Sequence, residues 1–399
     1  MSELKINLEK LSDDTKKEII DICPFKAIIE DDQGLSISAA CKMCMICVNK
    51  GPKGAVELIE SEKEKIDKSL WNGIIVYVDH VEGEIHPVTY ELIGKARELA
   101  KTINHPVQAL FVGKGISGKA KEILKYGVDE VYVYDYEELE DFVIEPYTAV
   151  FEDFVEKIKP SSVLIGATNV GRSLAPRIAA RLKTGLTADC TVLKMKENTD
   201  LVQIRPAFGG NIMAQIVTEN NRPQFCTVRY KIFDAPEKSL EVVGEIKQMN
   251  IEESKLSTRI KVIEIKKKDK SESISDADTI IAVGRGLKSE KDLEMIYELA
   301  EILDAKVACT RPLIENGWLD PRVQIGLSGR TVKPKLIITI GISGTVQFSA
   351  GMQNSDTIIA INSDPNASIY NIAHYGFVGD LYEVVPMLID KARSMGNII

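Results

Sequence analysis

The amino-acid sequence predicts an α/β protein in three parts, a small cysteine-bearing module followed by two domains built on largely parallel sheets. Three observations predict it. From Gly73 onward, short continuous apolar runs alternate with amphipathic stretches, the pattern of strands buried on both faces and the helices that cover them. A polar, aperiodic segment, IKKKDKSESISDAD at 265–278, divides that alternation in two. Ahead of both lies CKMCMIC, Cys41 to Cys47, three thiols spaced by two intervening residues.

The chain of 399 residues is long enough for two or three domains, because single hydrophobic cores stop growing well before that length. Its 44% apolar and 27% charged residues are ordinary for a globular protein and argue against a long disordered region. A formal net charge of −9 argues against a nucleic-acid surface as the main business. The start, MSELKINLEKLSDD, is polar and acidic, unlike a secretory signal or a transit peptide. No apolar run approaches the roughly 20 residues of a membrane span. A cytoplasmic location follows, with no nucleic-acid partner and no span, and there clustered cysteines read as metal or redox ligands rather than disulfides.

Of the seven cysteines, Cys190, Cys226 and Cys309 stand alone in apolar or mixed surroundings and read as buried, inert thiols. The other four differ. A structural zinc site pairs two Cys-x-x-Cys knuckles, or two Cys with two His, and here a third close cysteine spoils the pairing. The bacterial ferredoxin run is C-x2-C-x2-C-x3-C-P, and the cysteine before proline ligates the other cluster. Cys41, Cys44 and Cys47 supply the run, and Cys23 stands before Pro24 upstream. That is the ligand set of one [4Fe–4S] cluster. Neither VNKGPKGAVEL after Cys47 nor TKKEIIDI before Cys23 brings a further cysteine, so one cluster is expected, not two. Zinc, or no ligand role, are the competing readings.

Residues 1–65 therefore form a ferredoxin-like module, followed by a charged stretch, ESEKEKIDKS. The first α/β domain, 70–264, opens with GIIVYVDHVEGEIHPVTYELIGKARELAKTI, strand then helix, and continues with VQALFVG, VDEVYVYD and PSSVLIGAT before GRSLAPRIAARLK. From about Thr191 strands follow without helices, in LVQIRPAFGGNIMAQIVT and RPQFCTVRYKIF, as a β extension. After the 265–278 linker, the second domain, 279–399, reads TIIAVGRG, EKDLEMIYELAEILD, AKVACTRPL, KLIITIGIS, DTIIAINSDP and LYEVVPMLIDKARSMG. It is expected to be doubly wound, with its ligand at the carboxyl ends of the strands.

Two nucleotide sites compete. GKGISG, Gly113 to Gly118, with Asp135 about twenty residues on, matches a Rossmann dinucleotide signature by pattern alone. The second is spread over strand ends of the last domain: Gly284, Arg285 and Gly286; Thr310 and Arg311; Gly326, Ser328 and Gly329; Gly341, Ser343 and Gly344; Asn362; Asp380. Glycines let backbone N–H groups approach a pyrophosphate, and a following helix adds its positive end. Any one of these residues suits a loop or cap; the set suits a binding site.

The order GRGLKS, TRP, QIGLSG, IGISGTVQFSAGM, AINSDP and GFVGDL closely resembles the α subunit of the electron-transfer flavoproteins, from about Gly73 to the C-terminus. ATNVGRSLAPRIAARL is similar to the family's first, Rossmann-like domain. An N-terminal cluster module occurs in some members from anaerobes, which work in electron-bifurcating complexes. The resemblance implies FAD in the second domain, leaving GKGISG a plain βα loop. It places Arg285 at the phosphates and Thr310 and Arg311 at the flavin ring, with Arg311 as the positive charge beside it and Ser328 bonded near N5. Ile325, Gly326, Leu327 and Ser328 would wrap the cofactor, as would Gly341, Ile342, Ser343, Gly344, Thr345 and Val346. Asn362, Asp380 and Leu381 would hold the adenosine end. Many members have His after the Gln of the GISG segment; Phe348 follows Gln347 here, which removes a donor near the flavin.

The resemblance also implies partners. A β subunit completes the heterodimer and carries an NADH-oxidising, bifurcating flavin, from which single electrons reach ferredoxin and, through the α-subunit FAD, an acyl-CoA dehydrogenase-type reductase. The linker would be the hinge on which the FAD domain swings. An enoyl-CoA or caffeyl-CoA-like reductase and a lactate-dehydrogenase-type partner both fit, and no residue chooses. On this reading the chain is an electron-carrying subunit of an NADH-dependent oxidoreductase complex. Two other readings are a self-contained NAD or flavin dehydrogenase with a fused ferredoxin, using GKGISG, and an assembly protein with a vestigial flavin site.

Overall fold

The computed structural model describes residues 2–8, 11–31, 34–38, 40–60, 66–207, 212–266 and 273–395. Residues 61–65 of the charged stretch and 267–272 of the expected linker lie outside them. The chain forms two compact units, 1–66 and 67–399. No helix among the described residues is long and apolar enough to cross a membrane.

In the first unit Ser2–Ile6 pairs antiparallel with Val56–Glu60, and Ile28–Asp31 with Gly34–Ile37. Helix Asp13–Ile22 starts at a capping box, where Ser12 and Thr15 each bond the other's backbone N–H. Its Ile19 joins Leu4, Ile6, Ile28, Leu35, Val56 and Cys47 in a small core, so the last ligand candidate is anchored by packing.

The second unit holds two parallel sheets. The larger has seven strands, in the order Leu186–Cys190, Gln224–Val228, Ser162–Gly166, Ile74–Tyr77, Val107–Gly113, Glu130–Asp135, Glu245–Gln248. Its central strand shows why the apolar runs are continuous. Ile74 and Val76 pack with helix Val88–Ile103, while Ile75 and Tyr77 pack on the other face with helices Ile144–Ile158 and Asn169–Arg181.

One expectation changes here. RPQFCTVRYKIF does not belong to the antiparallel extension, which comprises Val192–Met195, Leu201–Ala207 and Ile212–Val217. Its strand Gln224–Val228 returns to the parallel sheet, buried at every residue, as a strand covered on both faces must be. Helix Val88–Ile103 also fixes the exit of that strand. The buried Glu91 carboxylate accepts the Lys231 N–H at 3.0 and 3.2 Å through its two oxygens.

Burial pushes the Glu91 carboxyl up to about 7, against the pull of the Lys231 amide and charge. The folded chain therefore keeps a proton that the unfolded chain gives up nearer pH 4.5, and this contribution to stability is complete below that pH and lost as pH rises through 7. Glu91→Gln should then gain roughly 1–3 kcal/mol on the wild type between pH 5 and pH 8 in denaturant titrations. A difference independent of pH would refute the assignment.

The smaller sheet has five parallel strands, ordered Lys306–Cys309, Thr279–Val283, Leu336–Ile340, Thr357–Asn362, Tyr375–Val378. Helices Leu293–Ile302 and Leu381–Met395 pack on the face of Ile281, Val283 and Ile338. Phe348, Met352 and Ile369 pack on the face of Ile280, Ala282 and Ile358. The first strand in the chain lies between the second and third, so the connections run to opposite sides from it. A crevice opens at the carboxyl ends of Thr279–Val283 and Leu336–Ile340, the position where doubly wound sheets bind ligands.

Candidate functional site

A cavity of about 790 Å³ occupies that crevice, a volume suited to a cofactor. The loops after all five strands reach it, through Gly284, Thr310, Gly341, Asn362 and Asp380 among others. Of the residues expected at the site, Arg285, Thr310, Arg311, Ile325, Gly326, Leu327, Ser328, Gly341, Ile342, Ser343, Thr345, Asn362, Asp380 and Leu381 line the cavity.

Gly344 and Val346 are not among the lining residues. Gly344 packs behind the wall at φ +80, where a Cβ would come 2.2 Å from the Ile369 nitrogen. Val346 is exposed. Lining residues outside the expected set include Gln324, Gln347, Phe348, Asp364 and Tyr382. Asp364 and Tyr382 sit within two residues of expected ones, so the strand-end argument, widened slightly, would have reached them.

Glycine is required where the two central loops meet. The Gly286 N–H donates to Gly341 O at 3.0 Å, Gly341 has φ +62, and a Cβ on either would stand 2.6 or 2.7 Å from the other's Cα. Side chains at either position would wedge the crevice open.

The polar groups are held in place. Gln324 Nε2 donates to Ser328 Oγ at 2.8 Å, which leaves the serine hydrogen free to point elsewhere. Asn362 Nδ2 donates to Ile342 O at 2.8 Å, and its Oδ1 accepts from Asp364 N at 2.9 Å. Asp380 Oδ1 accepts from Tyr382 N at 2.9 Å at the start of helix Leu381–Met395. Arg311 Nε donates to Glu315 Oε1 at 2.8 Å with both side chains exposed. Phe348, buried with Ile325 and Ile342, brings only an apolar ring.

One contributor is invisible to motif reading. Arg229, at the exit of strand Gln224–Val228, donates from Nη2 to Leu327 O at 2.8 Å and to Asp189 Oδ2 at 3.1 Å. It reaches across from the seven-stranded sheet to brace a loop of the cavity. Asp234 pairs with Lys333 between the same two parts.

The other candidate loop is closed by its own side chains. Asp135 accepts from Gly115 N at 2.5 Å, Ser117 N at 3.0 Å and Ser117 Oγ at 2.6 Å, so GKGISG spends on a carboxylate the donors a pyrophosphate would need. Partial burial pushes that carboxyl up, but bonds from Ser117, Gly115 and Ile116 outweigh it and hold it below the usual range. At the switch point of the seven-stranded sheet, buried Asp79 accepts from the Thr168 hydroxyl across the crevice.

In the first unit Cys23, Cys41, Cys44 and Cys47 line one small cavity with Pro24, Phe25, Lys42 and Met45. Lys26, Met43 and Met45 adopt left-handed backbone, with φ of 48°, 53° and 61°. Two N–H groups in these turns point at sulfur: Ala27 N to Cys23 Sγ at 3.3 Å and Met43 N to Cys41 Sγ at 3.4 Å. Burial raises the Cys23 thiol, but the amides of Ala27, Phe25, Ile28 and Lys26 outweigh it and hold the thiol below its ordinary value. Burial pushes Cys47 up. Among the described residues, no three His, Cys, Asp or Glu side chains stand at the spacing of a single metal ion. Cys190, Cys226 and Cys309 are buried.

Residues 74–254 match the model of the electron transfer flavoprotein domain, and 273–353 that of the electron transfer flavoprotein FAD-binding domain. The chain is 66% identical over its whole length, and 95% of the relative's, to the LctC subunit of the lactate dehydrogenase (NAD(+),ferredoxin) of Acetobacterium woodii. It is 41% identical to the electron transfer flavoprotein subunit alpha of Megasphaera elsdenii, covering 84% of this chain and 100% of that one. It is also 41% identical to Protein FixB of Clostridium saccharobutylicum, over 82% and 97%. The five-stranded sheet with its glycine-lined cavity is thus an FAD-binding domain, and the chain belongs to the α-subunit family of the electron-transfer flavoproteins.

Proposed function

We propose that this subunit holds FAD in the strand-end cavity and one [4Fe–4S] cluster on Cys23, Cys41, Cys44 and Cys47. It passes single electrons within a bifurcating complex of a β subunit with an NADH-oxidising flavin, ferredoxin and a lactate-dehydrogenase-type partner. The observation that carries the flavin site is the convergence of loops from all five strand ends on one cavity. An acyl-CoA dehydrogenase-type reductase fits the family too. The relative matched over the full length of this chain, N-terminal unit included, is named for lactate, NAD(+) and ferredoxin, and favours the lactate type.

Four cysteines lining one small cavity, in the spacing of a ferredoxin run with a Cys-Pro upstream, support the cluster, which takes four thiolates. N–H groups turned onto Cys23 and Cys41 would offset its negative charge.

Bound FAD supplies a centre that exchanges electrons one at a time. The backbone at Gly286 and Gly341 lets the cofactor approach the chain closely, and Ser328, already accepting from Gln324, keeps a hydrogen to donate. Arg311 supplies positive charge at the cavity, partly offset by Glu315. The 265–278 segment is the proposed hinge, and a swing about it would have to break the Arg229–Leu327 contact.

Metal, sulfide and flavin analysis of the purified complex tests the cofactors: one FAD, four irons and four sulfides per chain are expected. Zinc in place of iron would overturn the cluster. NADH oxidation by the isolated chain would overturn the subunit reading, which requires the β partner. Arg311→Ala should keep its FAD while the flavin potential falls by roughly 60 mV, a tenfold step for one electron. Arg311→Lys should recover part of the loss, and an unmoved potential in the alanine variant would remove Arg311 from its role.

A further inference from the structure

The cysteine-bearing stretches of the first unit have a charge pattern unlike the rest of the chain. In residues 22–29 and 34–56 every charged side chain is a lysine, namely Lys26, Lys42, Lys50 and Lys53, although the whole chain carries a net charge of −9. Acidic residues flank these stretches, at Asp21, at Glu30, Asp31 and Asp32 between the two, and at Glu57. All four lysines are exposed. Lys42 lines the cysteine cavity, and Lys26 lies three residues beyond Cys23.

Beside the lysines three large apolar side chains are left in solvent, Phe25 at 46%, Ile29 at 45% and Met43 at 40% exposure, and Phe25 and Met43 are the two nearest to ligand candidates in sequence. Phe25 lines the same cavity, and Met43 lies between Cys41 and the exposed Cys44. The left-handed backbone at Lys26 and Met43 belongs to the turns that aim N–H groups at sulfur. The turns that suit a cluster therefore also carry these side chains, Phe25 at the cavity itself and Met43 between two of its cysteines.

We propose that the surface of these cysteine turns, with Phe25 and Lys42 at the cavity and the exposed Lys26 and Met43 on the same turns, is the docking surface for a small acidic one-electron carrier protein. The proposal rests on the cluster reading for its purpose. A small apolar contact ringed by like charges suits a transient redox encounter, because the charges steer an oppositely charged partner while the contact stays weak enough to release it. A cluster held by Cys23, Cys41, Cys44 and Cys47 would exchange one electron with the carrier's centre, with no bond made or broken and no proton moved. Charge complementarity selects an acidic carrier over a basic one.

The test is calorimetric titration of the full-length protein, in its complex, with an oxidised acidic ferredoxin at low and at high salt. A variant carrying Lys26→Glu and Lys42→Glu should bind about tenfold more weakly at low salt, and the gap should close as salt screens both proteins. Phe25→Ser should weaken binding by a factor that salt does not change. Iron and sulfide content must match the wild type in each variant. Unchanged affinity and salt dependence in the charge-reversed protein, with its iron intact, would overturn the proposal, as would equally tight binding of a basic cytochrome. If the wild type held no iron and the charge reversal still cost ferredoxin binding, the cluster reading would fail and the docking surface would stand.

Discussion

Gly341→Val should leave the purified protein with less than about a tenth of its flavin and cost it roughly 2–4 kcal/mol of stability. Two penalties add. The backbone at Gly341 has φ +62, which a β-branched residue scarcely tolerates, and its Cβ would stand 2.7 Å from Gly286 Cα and 3.1 Å from Gly286 N. Both atoms belong to backbone that closes the crevice, so relief means parting the two loops and losing the bond from Gly286 N to Gly341 O. Gly115→Ala is the control. That glycine also has a positive φ, +66, but nothing lies within 4 Å of its Cβ and it sits in the loop that Asp135 already fills. It should cost about 1 kcal/mol and leave the flavin in place. The ratio of flavin to protein absorbance, read beside a thermal melt, decides between them; a Gly341→Val protein with full flavin would show that the cavity is not where FAD binds.

The contrast between these glycines marks how far the sequence could be read. Alternation of continuous apolar runs with amphipathic helices is a local property, and both parallel sheets were legible in it. Clustering of glycine, hydroxyl and arginine at strand ends was equally local, and most of the expected residues do line the cavity. What stayed hidden depends on partners far along the chain. GKGISG matched a dinucleotide motif, yet a motif does not reveal that Asp135 takes its donors. Gly344 looked like the other glycines, yet it serves Ile369 behind the wall. Arg229 carries no motif at all, since its carbonyl partner on Leu327 is remote in sequence. RPQFCTVRYKIF was misplaced because a strand returning to the middle of a sheet looks, from its own residues, like one that extends the edge.

Arg222→Met should be the most destabilising substitution in the seven-stranded part, by about 3–5 kcal/mol, a large share of the 5–15 kcal/mol that ordinarily holds a domain together. Arg222 and Asp200 have side chains 0% and 1% exposed, joined at 2.7 Å, and Lys68 Nζ approaches the same carboxylate oxygen at 2.7 Å. The guanidinium also donates to the carbonyls of Thr218, Asn221 and Thr199, so it ties the antiparallel extension to the base of strand Gln224–Val228. Removing it strands a buried carboxylate with one lysine and takes the guanidinium donor from the carbonyls of Thr218 and Asn221, while Thr199 O keeps Gln224 Nε2 at 3.0 Å. Asp200→Asn with Arg222→Met should recover part of the loss, because the uncompensated charge goes with its partner. Burial pushes the Asp200 carboxyl up, but Lys68 and Arg222 outweigh it and hold it below the usual range. Its contribution is therefore present above the unfolded value, about 4, and lost as pH falls through the lower folded one. Urea titrations at pH 7 and pH 3 should show the penalty of Arg222→Met shrinking in acid. A penalty that is equal at both would mean that the arginine acts through its carbonyl bonds and packing alone. Since Arg229 leaves the far end of the same strand to brace Leu327, weakening its base should also loosen the flavin. Release of FAD at lower urea than global unfolding would mark that path.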